Sequence, residues 1–501
     1  MQFKLTLPPE TLTAQAPETR LQQTRQWLDG LPATNPGRAM RKIWEALVAL
    51  NRHEVAPDVR LKLLEMHRAA VVKLLADLEP QYAAEALPLT KRNRLLAGIA
   101  RQTQVELAYG YKVIIAHCLD KRSGIGGRLQ FVLVVQRALR ALNNILIISY
   151  QIYAPVPAGI WSEIHMLYWY AAQQGIQDDA VADGAASFSI DQCYKQVVLL
   201  ALVDPYRLMD GETARILHLL VRFTDKAVLQ SITIPDDVSG LFLVRLSDDA
   251  PPKALAYRQG TTDEATDVLL NTIELARALH RQLQDMEMGK LPEHPSLPDK
   301  ASEIVYRGLL VRLIKYWGLS PKRHFRRSPE KGSKEICTGL ISLHHALDPD
   351  PNTPIPVTRW LILNESAGGL ALIKNPSAQI QLKVGEVIGL RPDKSTPFVL
   401  GVVRRAYSES GDHLEIGVQM LAPTATAVSI RAALADGMGP VNSALLLPEY
   451  PALKTPVSLL APPGSYEPQR EFTLDAGGET STVYATDLLE RTGRFDHFQF
   501  V

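Results

Sequence analysis

Two short segments of the chain combine residue types that can bind a phosphorylated ligand. The first is a basic run whose arginines are Arg323, Arg326 and Arg327. The second is a polar stretch between two apolar runs, and its key residues are Asn364, Ser366 and Gly369. The order of the two segments predicts a cationic segment followed by β-strands that are joined by a polar turn.

Arginine suits a ligand that contains phosphates and purines. The guanidinium group is always charged and offers a planar fork of donors, so it can bind a phosphate through paired hydrogen bonds. The same fork can bind O6 and N7 of guanine, which discriminates between bases by about 1–3 kcal/mol, and its flat face can stack on a purine. Because Arg323 and Arg327 are separated by one turn's length of chain, both can close over one ligand from the same side.

The turn residues have complementary roles. Asn364 and Ser366 have short polar side chains that can stabilise a turn and present fixed donors and acceptors to the edge of a base. Gly369 permits either a positive φ or a close approach of the ligand to the backbone. Each motif alone is common in proteins, so the prediction depends on finding both in this order.

An Arg-x-x-x-Arg motif that is followed, one or two strands later, by Asp/Asn-x-Ser-x-x-Gly resembles the signature of the PilZ family of cyclic di-GMP receptors. The residues that match are Arg323, Arg327, Asn364, Ser366 and Gly369. The resemblance implies a small antiparallel β-barrel whose rim binds cyclic di-GMP, either as one molecule or as an intercalated dimer.

The sequence departs from the common PilZ pattern at two places within the region of resemblance, residues 321–430. Asn364 stands where aspartate is more usual, and an amide pairs less strongly with guanine N1–H and N2–H than a carboxylate does. The residue after Arg327 is not apolar, which leaves open whether the arginine pair is shifted by one position. We assign the pair Arg323 and Arg327 and keep Arg326 as an additional contact.

The composition indicates a multidomain cytoplasmic protein. The 501 residues are too many for one core, so roughly two to four domains are expected. A net charge of +1 argues against a nucleic-acid partner, and three widely separated cysteines fit a reducing compartment. The N-terminus lacks the apolar core of a signal peptide, and the most apolar region, residues 131–153, contains arginines and asparagines, so we expect no membrane span.

Hydrophobic periodicity predicts a multidomain α+β fold. Helical periodicity up to residue 224 predicts an all-α N-terminal domain, for which a TPR-like or other α-solenoid arrangement is one interpretation. A β-hairpin and two helices, 262–288 and 301–317, should then lead to a small antiparallel PilZ-like β-barrel and a β-rich C-terminal segment that pairs with residues 241–257. The predicted domains are 1–225, 226–320, 321–436 and 437–501.

The sequence predicts no catalytic or metal-binding residues and no cofactor other than cyclic di-GMP as a ligand. It contains no His-Glu-x-x-His motif and no glycine loop placed after a strand to bind phosphate. Alternation over residues 335–346 predicts a strand, on which His344 and His345 would face opposite sides and could not bind one metal together.

The family resemblance therefore implies a non-enzymatic receptor. Ligand binding would order the arginine segment and reorient the helical domain, which would present or hide a surface for a protein partner. Control of motility, pili, exopolysaccharide or biofilm is the output that the family implies. Two alternatives remain: a PilZ-like scaffold that no longer binds nucleotide and acts through protein–protein interaction, and an enzyme in the helical domain that the barrel regulates.

Overall fold

The computed structural model shows helices in the N-terminal part of the chain and β-barrels in the C-terminal part. It describes residues 3–8, 16–121, 126–184, 186–258, 260–290, 300–319, 332–348, 354–366, 368–409, 413–434, 437–449 and 456–501.

The α-helices run from 8 to 31 residues in length, so successive helix pairs differ in size rather than repeating. In the described ranges they are α1 Leu21–Asp29, α2 Pro36–Asn51, α3 Pro57–Ala83, α4 Lys91–Lys121, α5 Arg128–Gln151, α6 Ile160–Gln173, α7 Ile190–Leu202, α8 Glu212–Phe223, α9 Ile273–Glu287, α10 Lys300–Gly318 and α11 Leu340–Leu347. Short 3₁₀-helices occur at Pro205–Arg207, Thr224–Lys226 and Leu255–Tyr257.

Local sequence determines where several helices begin. The Asn35 side chain accepts a hydrogen bond from the backbone N–H of Arg38, and Pro36 occupies the first position of α2. Ser189 and Gln192 form a capping box at the start of α7, in which each side chain accepts from the other residue's backbone N–H. Each cap satisfies backbone donors that the helix itself leaves unpaired.

Helix α5 is the central helix of the N-terminal region. Its length and composition would allow it to span a membrane, but 72% of its most apolar window is buried inside the protein. It packs against α3, α4, α6 and α7, and its polar residues are used within the core. The Asn143 side chain, for example, donates to the backbone carbonyl of Cys193 at 2.9 Å.

The β-strands form two closed barrels and two smaller sheets. They are β1 Ala180–Asp183, β2 Ala186–Ser189, β3 Val228–Gln230, β4 Leu241–Arg245, β5 Lys253–Ala254, β6 Asp267–Asn271, β7 Ser333–Thr338, β8 Thr358–Ser366, β9 Gly369–Lys374, β10 Val387–Arg391, β11 Val399–Tyr407, β12 Glu415–Ala422, β13 Thr426–Leu434, β14 Gly437–Leu447, β15 Ser458–Ala461, β16 Glu471–Ala476, β17 Glu479–Arg491 and β18 Asp496–Phe500.

All strand pairs are antiparallel. The first barrel has the order β10-β11-β12-β9-β8-β7 and closes because β7 also pairs with β10. The second barrel has the order β13-β14-β15-β18-β17-β16 and closes between β16 and β13. A four-stranded sheet, β3-β6-β4-β5, lies between the helices and the barrels in sequence, and β1 pairs with β2 as a hairpin. The α+β fold class predicted from sequence is confirmed.

The N-terminal region is not entirely helical, because it contains the β1–β2 hairpin. Asp183 at the end of β1 pairs with Arg68 of α3 at 2.9 Å, and Arg137 of α5 donates to the backbone carbonyl of Ala182 at 2.8 Å. The hairpin is thus fixed by charged residues of two helices. The sequence did not predict it, because such long-range contacts produce no local hydrophobic pattern.

Two predicted elements differ from the structure. The predicted helix 262–288 begins only at Ile273, since residues 267–271 form β6 between β3 and β4. The predicted strand 335–346 ends at Thr338, where Gly339 with φ 87° turns the chain into α11. His344 and His345 therefore lie on a helix, and His344 Nε2 is 3.1 Å from the carbonyl oxygen of Val428.

The sequence predicted that the C-terminal segment pairs with residues 241–257, and this prediction is wrong. The segment closes on itself through β13–β18, and β4 and β5 pair within the four-stranded sheet. Strand β13 also begins at Thr426, so the boundary that was predicted at residue 436 falls inside the second barrel.

Asp210 connects the helical region to both barrels. Its Oδ2 accepts from Lys383 Nζ of the first barrel at 2.7 Å and from a guanidinium nitrogen of Arg494 in the second barrel at 3.3 Å. Nearby, Leu87 and Leu382 exchange backbone hydrogen bonds of 2.8 and 3.0 Å. These contacts fix the first barrel against the end of the helical region.

Two buried histidines give the fold a pH dependence. His165 of α6 lies between the Tyr194 hydroxyl at 2.7 Å and the Ala250 carbonyl at 2.9 Å, an arrangement that suits a neutral ring accepting at Nδ1 and donating at Nε2. Burial lowers the pKa of His165 to about 4, and it lowers that of His497 to about 4 as well.

The stability of the protein should fall as the pH is lowered from 6.5 towards 4, because the unfolded chain then binds protons that the folded histidines exclude. The expected slope is about 1.4 kcal/mol per pH unit for each histidine. His165→Gln, which can still accept and donate, should reduce this slope when melting temperatures are compared between neutral pH and a pH of about 5. An unchanged slope would show that the pKa of His165 is the same in the folded and the unfolded protein.

Candidate functional site

The predicted polar turn lies between β8 and β9 of the first barrel. Asn364 and Ser366 are the last outward-facing residues of β8, and Gly369 begins β9 directly opposite Ser366. The structure thus brings these three residues together at one end of the barrel. The predicted arginines, Arg323, Arg326 and Arg327, lie outside the described residues, in the connection between α10 and β7.

A β-bulge determines the direction in which Asn364 faces. Trp360 and Ile362 are buried in the barrel, and Ile362 pairs with the buried Leu372. The register shifts between Ile362 and Asn364, so that Asn364 pairs with Ala371, the outward-facing neighbour of Leu372. An uninterrupted strand would have directed Asn364 inward, because side chains two residues apart share a face.

Gly369 is required by a close approach of backbones. A Cβ atom at this position would lie 2.2 Å from the carbonyl oxygen of Val418 in β12. Gly369 lies in strand β9 and has no positive φ, and the backbone that approaches it closely is that of β12. The close approach of a ligand to Gly369 stays a prediction. The Ser366 hydroxyl donates to the Gly369 carbonyl at 2.9 Å and holds the two strand ends together.

Asn364 carries an unused acceptor. Its Oδ1 atom is buried and has no hydrogen-bond partner among the described residues. A buried amide oxygen without a partner is costly, and a bound water, ion or ligand is one way in which folded proteins satisfy such an atom. Asn364 can therefore accept a hydrogen bond from an N–H group of a ligand.

The residues next to Asn364 across the sheet are small. Asn364 is followed across the sheet by Ala371 of β9 and Gly417 of β12, which are paired in register. One step along the strands, Gly369 is paired with Gln419 of β12. A planar base can lie on such a surface without displacing side chains.

The outer face of the barrel continues into a cleft of about 750 Å³. Helix α10 forms one wall, the first barrel contributes Arg404 and Gln419, and the second barrel contributes Leu488 and Glu490. The sequence motifs assigned neither Arg404 nor Gln419 to the site. They could not identify Glu490, which comes from a different barrel.

The described residues contain no group of three or more histidine, cysteine or acidic side chains that could hold a metal ion. The cysteines Cys118, Cys193 and Cys337 are free thiols, and burial raises the pKa of Cys193 and of Cys337 to about 11. These two thiols are therefore protonated at neutral pH and are poor nucleophiles.

Comparison with protein families places the site in a known kind of domain. The model described as the middle PilZ domain of the cyclic-di-GMP receptor FimW matches residues 241–351 and 347–427, so the first barrel is a PilZ domain. The N-terminal domain of the same receptor matches residues 22–236, and the FimW C-terminal β-barrel domain matches residues 428–501. The chain thus belongs to the FimW family of PilZ-domain proteins.

A curated relative has the same extent. The cyclic-di-GMP receptor FimW of Pseudomonas aeruginosa is 25% identical over 553 aligned positions, which cover 95% of this chain and 89% of the relative. The similarity therefore includes the helical region and both barrels. The PilZ resemblance inferred from the two short motifs is confirmed, and the family also accounts for the helical domain that the sequence left unassigned.

Gly369→Ala should destabilise the PilZ barrel by about 1–3 kcal/mol, because the new methyl group would overlap the backbone of β12. Gly98→Ala is a matched control: Gly98 lies within α4 with no atom near its added Cβ, so alanine should stabilise by about 0.5–1 kcal/mol. Thermal unfolding measures both effects. Equal melting temperatures for the two variants would contradict the role assigned to Gly369.

Proposed function

We propose that this protein is a non-enzymatic cyclic di-GMP receptor. The observation that carries the proposal is the buried, unpartnered amide oxygen of Asn364, next to Ser366 and Gly369 at one end of the PilZ barrel. The arginine segment that precedes β7 supplies the cationic part of the same motif. The relative named as a cyclic-di-GMP receptor supports the choice of ligand.

In the proposed complex, Arg323 and Arg327 bind the phosphates or stack on a guanine, and Arg326 provides a further contact. Asn364 accepts an N–H of a guanine through its free Oδ1, while Ser366 and Gly369 keep the turn in the shape that presents it. Each charge-assisted hydrogen bond contributes about 1.5–3 kcal/mol. A few of them together with stacking are enough for a dissociation constant near 1 μM, about −8 kcal/mol.

The signal in this proposal passes to the helical domain, which binds a protein partner in the cytoplasm. Trp317 near the end of α10 is fully buried, and its indole N–H donates to the carbonyl of Leu199 in α7 at 3.1 Å. The arginine segment starts a few residues later, so ordering it on the ligand pulls on a helix that is anchored in the helical core. Motility, pili, exopolysaccharide and biofilm are the outputs proposed for this response.

Isothermal titration with cyclic di-GMP tests the receptor function. The wild-type protein should bind with a dissociation constant of about 1 μM or below. Arg323→Ala and Arg327→Ala should each weaken binding by about tenfold or more, because a charge-assisted contact is lost. The matched control is Arg277→Ala, which removes an exposed arginine of α9 that pairs with Glu274. Absence of binding by the wild-type protein would favour the alternative of a scaffold that acts through protein–protein interaction.

Asn364→Asp tests the part assigned to the turn. A carboxylate can accept both N1–H and N2–H of guanine, so we expect tighter binding by about threefold to tenfold, and Asn364→Ala should bind more weakly than wild type. Titration of the two variants measures this. If both variants bind as tightly as wild type, the base does not contact residue 364.

A further inference from the structure

Arg404 connects the surface of the proposed site to the second barrel. It lies in β11, and its Nε donates to Oε1 of Gln419 at 2.8 Å. Its two terminal nitrogens bind the carboxylate of Glu490 in β17, one of them at 2.7 Å. A bidentate pair of this kind joins the PilZ domain to the C-terminal barrel directly.

Gln419 places the Arg404 guanidinium next to the ligand surface. Gln419 pairs with Gly369 in the β9–β12 register, so their outer faces coincide, and the N–H of Met420 donates to the carbonyl of Gly368 at 3.2 Å. Arg404 is one hydrogen bond further along this surface. Arg404, Gln419 and Glu490 also line the cleft that opens beside the turn.

The neighbouring arginines are fixed in other ways. Arg491, the residue after Glu490, binds both carboxylate oxygens of the fully buried Asp496 at 2.6 and 2.7 Å. Arg405, the residue after Arg404, faces Asp204 at 3.9 Å and the ring of Tyr206. Arg404 is the arginine of this group whose partner belongs to the other barrel.

A ligand anion can replace the Glu490 carboxylate as the partner of Arg404. The side chains of Arg404 and Glu490 are each 25% exposed, so water screens the pair and reaches it from the cleft. Two oxygens of a phosphodiester can accept the same pair of parallel hydrogen bonds as a carboxylate, and Arg404 already has the geometry to donate them. Since Glu490 is held in β17, a ligand phosphate in the cleft would compete with it for one guanidinium group.

We propose that Arg404 is a further ligand-binding residue of this PilZ site, and that a phosphodiester of a cyclic dinucleotide displaces Glu490 from it. The exchange removes an ion pair between the barrels when ligand binds, so it converts occupancy of the PilZ site into a weaker contact with the C-terminal barrel. This inference rests on the proposed receptor function. It adds a second route by which the ligand acts, separate from the arginine segment and the helical domain.

The test is a titration with cyclic di-GMP of Arg404→Ala, Glu490→Gln and the double variant. Arg404→Ala should weaken binding by about tenfold or more, whereas Glu490→Gln should strengthen it by about threefold or more because the competing carboxylate is removed. In the double variant, Glu490→Gln should have no further effect, since both changes act through one guanidinium group. Glu274→Gln is the control for loss of one negative charge, because Glu274 pairs with Arg277 at the distant end of α9.

Hydrogen exchange gives a readout of the contact itself. Amides of β17 around Glu490 should exchange faster after ligand is added to the wild-type protein, and faster without ligand in Glu490→Gln. If the wild type binds cyclic di-GMP but Glu490→Gln and Glu274→Gln have equal affinities, the displacement of Glu490 by the ligand is refuted and the receptor function stands. If the wild type does not bind at all, both proposals are wrong.

Discussion

The extra residue in β8 between Ile362 and Asn364 determines what the first barrel can bind. In a regular strand, Asn364 would follow Trp360 and Ile362 into the apolar interior, where an amide without partners is strongly unfavourable. The bulge adds one residue to the strand, so every side chain after it faces the opposite side of the sheet. As a result, Asn364 and Ser366 share an outer surface with the residues across the sheet. One backbone irregularity therefore separates the residues that fill the barrel interior from those on its outer surface.

The tight packing of β9 against β12 depends on the same end of the barrel. Gly369 lets the backbone of Val418 approach more closely than any other residue would allow. This approach holds Gln419 beside the turn and, through Gln419, positions Arg404. Gly369, which has no side chain, thus influences the placement of side chains on the neighbouring strands β12 and β11. A chain of direct contacts therefore runs from the turn through Gln419 and Arg404 to Glu490 of the second barrel.

Sequence reasoning succeeded where the pattern is local. Amphipathic helices such as α2 and α8 have an apolar face that repeats with the period of a helix, so the sequence predicts them. It failed at β6, since a short apolar run next to a helix has the composition of either element, and at Gly339, where one glycine ends a strand and starts a helix. The partners of the C-terminal strands could not be predicted because strand pairing is a long-range property.

The candidate site divides in the same way. Asn364, Ser366 and Gly369 lie within one short motif, so the sequence identifies them and the structure brings them together. Arg404, Gln419 and Glu490 come from three strands and two barrels, and nothing in their local sequence indicates that they meet. The sequence offered a positive φ or the close approach of a ligand for Gly369, and it did not predict packing against β12, because the glycine alone does not tell which atoms come close to it.

The connection between the two barrels limits what loss of their ion pair can do. Strand β12 ends at Ala422 and β13 begins at Thr426, so only Pro423, Thr424 and Ala425 join the PilZ barrel to the C-terminal barrel. A linker of this length reaches at most about 10–14 Å. The C-terminal barrel therefore stays at a high effective concentration beside its partner surface. The two barrels also share a buried apolar cluster that includes Leu343, Leu400, Leu445 and Phe495, so loss of the ion pair would loosen one edge of the contact and leave the barrels joined.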